Sequence, residues 1–152
     1  MQKSARSFFA AAIFPAAAVL LYAGGLFVLL GNPDASPEAR ARKAVLTLKL
    51  AGCSHPEEAS LEGMATGTVD GRRKSIPLKL IALSTPGMYA LTQQWPEQGR
   101  WVLQFVAKDD GRLTTTLVAA GPGGIERSGA RMAMAPPSQS DIAALLAGSP
   151  VS

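Results

Sequence analysis

Few residues in this chain are equipped for chemistry. Its single cysteine and single histidine stand two apart, as Cys53-Ser54-His55, in a stretch whose Pro56 and paired acids read as a loop. A thiolate and an imidazole at that spacing are two members of a metal site or of a thiolate centre. Structural zinc needs four ligands, and the chain has no second Cys/His pair. Cu(I) needs fewer and prefers soft sulfur. Met132-x-Met134 sets two thioethers on one face of an expected strand, and Met64 and Met88 add further sulfur. A three-coordinate Cu(I) site of Cys53, His55 and one methionine is therefore the sharp alternative. In the plain reading Cys53 is a small apolar side chain beside a solvated imidazole, and the methionines fill gaps. The pairs Glu57-Glu58 and Asp109-Asp110 fall in turns and read as solvated. Nucleophilic catalysis needs a nucleophile, a base and an orienting group. The one histidine is in a loop and the acidic residues mostly lie in turns, so no such set is read, and there is no phosphate loop or nucleotide signature. The expectation is a non-catalytic protein without a cofactor.

The elements that must position these residues begin at the N-terminus. After a short basic head with Lys3 and Arg6, Phe8 to Leu30 runs 23 residues without a charge. As a helix it would rise about 34 Å, enough to cross a bilayer core. Pro15 and Gly24-Gly25 suit a membrane helix better than a soluble one. The expectation over residues 1–31 is an uncleaved anchor, with a cleaved signal or a buried soluble helix as alternatives. The anchor's partner is the membrane, and the rest of the chain is placed on the extracytoplasmic side of a bacterial inner membrane. Lys3 and Arg6 are opposed by Arg40, Arg42 and Lys43, so the charge rule alone leaves orientation open. Residues 32–43 read as a linker. Within it Ser36-Pro37-Glu38 can open a short helix, with Ser36 as N-cap and Pro37 in the first position.

Residues 44–134 carry strand signals throughout. Leu46, Leu48 and Leu50 alternate with Val45, Thr47 and Lys49. Asp70-Gly71 joins Ala59–Val69 to Arg72–Leu83 as a two-residue hairpin, pairing Val69 with Arg72, Ala65 with Ile76, Gly63 with Leu78 and Leu61 with Leu80. Pro77 then belongs at an edge or a bulge. The pattern is strongest in Thr85–Ala107. A connection centred on Gln98 pairs Trp95 with Trp101, Gln93 with Leu103 and Leu91 with Phe105. A three-residue loop at Asp109, Asp110 and Gly111 pairs Ala107 with Leu113, Phe105 with Thr115 and Leu103 with Leu117. Ile125–Met134 is a weaker last strand. Residues 135–152 read as a flexible tail in which only Asp141–Leu146 forms a helical turn or two, capped by Ser140.

These runs predict an all-β fold, an immunoglobulin-like antiparallel β-sandwich of six to seven strands after one N-terminal transmembrane helix. A closed barrel is the alternative. The expected core is Leu46, Leu48, Ile76, Leu78, Leu80, Leu91, Leu103, Phe105 and Leu117, with Trp101 buried. Pro86-Gly87-x-Tyr89 suggests a tyrosine corner. Leu50-Ala51-Gly52-Cys53 has the letters of a lipobox, yet the apolar run before it is short and is interrupted by Lys49. Of the +4 formal charge, only about +2 lies in 44–134, with ten Lys/Arg against eight Asp/Glu. No basic stripe carries interleaved aromatics, which excludes a nucleic-acid partner.

Gly87, Tyr89, Gly99 and Trp101 fall in a strand, G-x-Y, strand, G-x-W order. This resembles the YtkA-like and FixH-like families of small bacterial extracytoplasmic domains. The resemblance covers about half the chain and implies an immunoglobulin-like sandwich behind a membrane span. FixH-like proteins are implicated in assembling copper-containing oxidases, so it also implies a protein partner in the envelope. The histidines with which a related copper-resistance sandwich holds metal are not matched here, since only His55 is present.

Overall fold

The computed structural model describes residues 25–148. Two antiparallel sheets share one core. The smaller has the order β1-β2-β6-β5, with β1 Phe27–Gly31, β2 Leu46–Ala51, β5 Ile81–Ala82 and β6 Met88–Leu91. The larger runs β10-β8-β7-β3-β4, with β3 Ser60–Val69, β4 Arg72–Leu78, β7 Trp101–Asp109, β8 Arg112–Gly121 and β10 Arg131–Ala133. A short β9, Gly124–Ile125, pairs with β8. Val28, Leu46, Leu48, Leu50 and Leu91 from one sheet meet Ala65, Leu78, Trp101, Leu103, Phe105 and Val118 from the other. The fold is an all-β sandwich, with more strands than the six or seven expected.

The Asp70-Gly71 hairpin has its predicted register from Val69↔Arg72 to Gly63↔Leu78. The chain then departs from expectation, because Leu61 does not meet Leu80: β4 ends at Leu78 and crosses to the smaller sheet as β5. Pro77 sits on β4, an edge strand, opposite Met64. Bonded pairs fall on even β4 residues, so the N–H that proline lacks would point to the open edge.

The hairpin centred on Gln98 does not form. β6 pairs with β2 and β5, whereas β7 pairs with β3 and β8, so residues 92–100 carry the chain from one sheet to the other. Both tryptophans are nevertheless buried in the shared core. Trp101 is on the inward face of β7 and Trp95 reaches the core from the crossover, an arrangement that alternation cannot distinguish from direct pairing.

The β7–β8 turn is one residue shorter than expected. Asp109 pairs with Arg112, Phe105 with Thr116 and Leu103 with Val118. Asp110 and Gly111 both take positive φ, 46° and 74°, as a two-residue type I′ turn requires. The shift turns Leu117 away from the sandwich core. It packs instead with Val102, Ala119, Ile142 and Leu145 on the outer face.

That outer face is covered by α2, Gln139–Leu146, capped by Ser138 rather than Ser140. The expected flexible tail is therefore docked as far as residue 148. Arg100 holds it, donating from Nε to the Leu145 carbonyl at 2.6 Å. Between β1 and β2, α1, Pro37–Ala41, has Ser36 as N-cap and Pro37 first, as predicted, and its Ala39 is fully buried.

The end of the apolar run is also not helical. Phe27–Gly31 is an edge strand paired with β2 from Phe27↔Ala51 to Gly31↔Thr47, so the sandwich starts well before residue 44. An apolar run bounded by glycines fits a strand as readily as a helix. The remainder of Phe8 to Leu30 lies outside the described residues. Among the described residues no helix is long and apolar enough to cross a membrane.

Candidate functional site

The loop after β2 brings the predicted chemistry to one end of the sandwich. Cys53 is half-buried against the core, and burial followed by the Asp109 carboxylate pushes its thiol pKa up. It therefore favours the protonated thiol, a poor soft ligand and a poor nucleophile. His55 points outward: its side chain is 66% exposed and its Nδ1 lies 3.5 Å from Glu57 Oε1. With Ser54, Glu58, Asp109, Asp110 and Arg112 it borders an open hollow of about 390 Å³. Arg112 pairs with Asp109 and donates to the Gly52 carbonyl.

The methionines are spread over the fold. Met64 lies on β3, Met88 on β6, and Met132 and Met134 are largely exposed at β10 and just after it. Among the described residues no group of three or more His, Cys, Asp or Glu side chains could hold a metal ion. The lipobox reading meets a different obstacle. Leu50 and Ala51 belong to β2, so cleavage before Cys53 would remove β1 and β2, half of the smaller sheet.

Alternation alone gave no sign of a second concavity. Where β4 leaves β3 after Leu78, the larger sheet forks, and a cleft of about 430 Å³ opens there. One wall is β3 from Leu61 to Met64; the other is Pro77, Leu78 and Leu80. Tyr89 of β6 lies within it, and Gln104 and Val106 of β7 border it on the outer face. The lining is mainly apolar, and Glu62 is its one charged member. Leu80 is held there through its neighbour: Gln94 accepts from the Lys79 N–H at 2.8 Å and donates to its carbonyl at 2.9 Å. Gly63 keeps the floor thin, since a Cβ there would stand 3.0 Å from Leu78 Cβ. Tyr89 makes no tyrosine-corner bond back to the backbone among the described residues; it faces this cleft instead. The signal that could have revealed the site was the proline at 77 followed by a second apolar pair, Leu78 and Leu80. Its meaning depends on where the ladder ends.

Comparison with protein families, with curated proteins and with solved structures finds no match for this chain.

Proposed function

We propose that this protein is a non-catalytic binding or assembly module, anchored in a bacterial inner membrane by its N-terminal apolar segment, with its β-sandwich on the extracytoplasmic side. The observation that carries the binding role is the open cleft at the β3–β4 fork. Its volume falls within the usual range for ligand sites, and it combines an apolar lining with a few polar residues, Glu62, Gln104 and Tyr89. The resemblance to YtkA-like and FixH-like domains supports the same reading, as does the immunoglobulin-like arrangement proposed for the two sheets. Because Phe27–Gly31 belongs to the sandwich and Leu26 to its core, no more than residues 8–24 remain for the membrane. At 1.5 Å per residue these 17 positions span about 26 Å, near the lower limit for crossing. The domain would then stand close to the bilayer with almost no linker.

The test is a photo-crosslinking residue placed at Met64, on the rim of the cleft, in intact cells, beside a control at Lys74 on the exposed part of β4. One adduct of discrete mass from Met64 alone, lost when Leu80→Glu alters the cleft wall, is the expected result. Equal labelling from both positions would remove the cleft as the binding site. Membrane fractionation and N-terminal sequencing test the anchor; a soluble product starting near residue 25 would show a cleaved signal.

A further inference from the structure

We infer that the β3–β4 fork accepts an extended peptide strand from a partner protein, paired to the main chain of Leu61; this rests on the reading of the cleft as the binding site.

Two registers, taken independently, direct the same backbone groups into the fork. A two-residue hairpin makes its flanking residues a hydrogen-bonded pair, and such pairs recur at every second residue. From Val69↔Arg72, the residues of β3 that bond to β4 are 69, 67, 65 and 63. From Asp109↔Arg112, the odd residues of β7 bond to β8, leaving its even residues, 102 to 108, for the even residues of β3. Both countings aim the N–H and carbonyl of Leu61 away from β7, toward the place where β4 would have continued. The β3–β4 ladder stops at Gly63↔Leu78, so this donor and acceptor meet no strand among the described residues.

The side chains around that point suit a strand rather than a compact ligand. An added strand bonded at Leu61 places alternate side chains on opposite faces. One face meets Leu61, Leu80 and Tyr89 on the inner side, and the other meets Met64 and Val106 on the outer side. Apolar residues are therefore accepted on both sides of the incoming segment. Glu62 is exposed at the rim and favours a lysine or arginine at the segment's flank. On the far side strand addition is blocked at Pro77 of β4, which has no N–H, and at Lys79 just after it, both of whose backbone groups are occupied by Gln94. The fork offers what that edge denies.

The test uses the full chain, labelled with ¹⁵N-leucine and held in lipid nanodiscs, with amide exchange read at Leu61. The probe is acetyl-Lys-Val-Thr-Val-Lys-amide at millimolar concentration, and the control is the same peptide N-methylated at both valines. Main-chain bonds supply most of the affinity in strand addition, so a generic alternating probe suffices. The expected result is fast exchange at Leu61 in the free protein, slowed about tenfold by the probe and unchanged by the control. Glu62→Lys, an exposed position, should weaken protection by the lysine-flanked probe. Slow exchange in the free protein at every concentration, or no protection by the probe, overturns the inference. Protection that rises with protein concentration alone would make a second copy of the chain the occupant, and also overturns it. A crosslink from Met64 without protection at Leu61 would keep the cleft as a binding site and reject strand addition.

Discussion

Two Asp-Gly hairpins organise the larger sheet, and they differ in everything but the turn. β3–β4 ends at the sheet's edge, and β4 exposes Arg72 to Ser75. β7–β8 lies at the centre, flanked by β3 and β10, and β8 is buried without interruption from Thr114 to Ala120. At the edge, burial on one face only fixes the register, because a slip of one residue would turn Ile76 and Leu78 outward. At the centre, both faces of β8 are covered, by the sandwich core and by α2. The run Thr114 to Ala120 fits either register almost equally well, so the turn decides.

The comparison can be broken first at its most buried point. Trp101 begins β7, is 1% exposed, and lies over Gly67 of β3, where a Cβ would stand 2.5 Å from the ring. Trp101→Ala should cost about 3–5 kcal/mol. Ile76→Ala, on the half-buried edge strand, should cost clearly less. Urea denaturation giving equal losses would show that edge and centre do not differ in packing.

The outer cover is the next largest effect. Leu145 of α2 is 6% exposed and packs with Leu117 and Val102. Leu145→Ala should destabilise by about 2–4 kcal/mol and speed amide exchange along β7 and β8 but not along β4. Uniform loss of protection across the sheet would show that α2 is not what distinguishes the central hairpin.

These contrasts explain what could be read in the residues alone. Local physics was legible: the Asp70-Gly71 turn, the Ser36 cap with Pro37, and the confinement of Pro77 to an edge each depend on a few neighbouring residues. Features decided by distant partners were not. Trp101 enters the core from β7 and Trp95 from the crossover between the sheets, and alternation renders the two as a hairpin. Phe27–Gly31 is apolar enough for a membrane and becomes a strand only because β2 is there to pair with it. In the C-terminal segment the helical turns at Asp141–Leu146 were legible but their docking was not, since Ile142 and Leu145 are buried only because β8 offers them Leu117 and Ala119. Cys53 and His55 were correctly placed in a loop, but the direction of each side chain came from the packing of that loop against β7–β8. The cleft was legible in part, through Pro77. Its position rests on the ladder stopping at Leu78, which no local pattern encodes.

The turns themselves should behave alike despite these surroundings. Gly71 and Gly111 have φ of 72° and 74°, and a Cβ at either would meet nothing within 4 Å. Each Gly→Ala should cost about 1–2 kcal/mol through backbone strain alone. The turns lie at opposite ends of the sandwich, so the double variant should be additive within about 0.5 kcal/mol. Asp70→Ala and Asp110→Ala sharpen the point, since both aspartates also have positive φ. A three-residue loop at 109–111 would not place Asp110 in that region, and Asp110→Ala would then be near neutral while Asp70→Ala was not.

The smallest effect separates the hairpins by pH. Arg100, just before β7, binds both oxygens of Glu126, at 2.8 and 3.0 Å, while its Nε holds the end of α2. The Arg100 hydrogen bond holds the Glu126 carboxyl below its ordinary pKa of 4.5, against a smaller opposing effect of burial. A carboxylate depressed in the folded state binds protons less readily there than in the unfolded chain. Its contribution is therefore complete above the unfolded value and lost as pH falls below about 4.5 through the folded one. The paired side chains are 31% and 49% exposed, so solvent screening limits the effect to less than about 1 kcal/mol. Glu126→Gln isolates it, because titration of the other carboxylates cancels in the difference from wild type. That difference should be present at pH 6 and shrink toward zero near pH 3. It should be accompanied by faster amide exchange at the C-terminal end of α2, with no change at the Asp70-Gly71 turn. A difference that stays constant with pH would mean that Arg100 secures α2 through the Leu145 carbonyl alone, and that the central hairpin's cover does not depend on the ion pair.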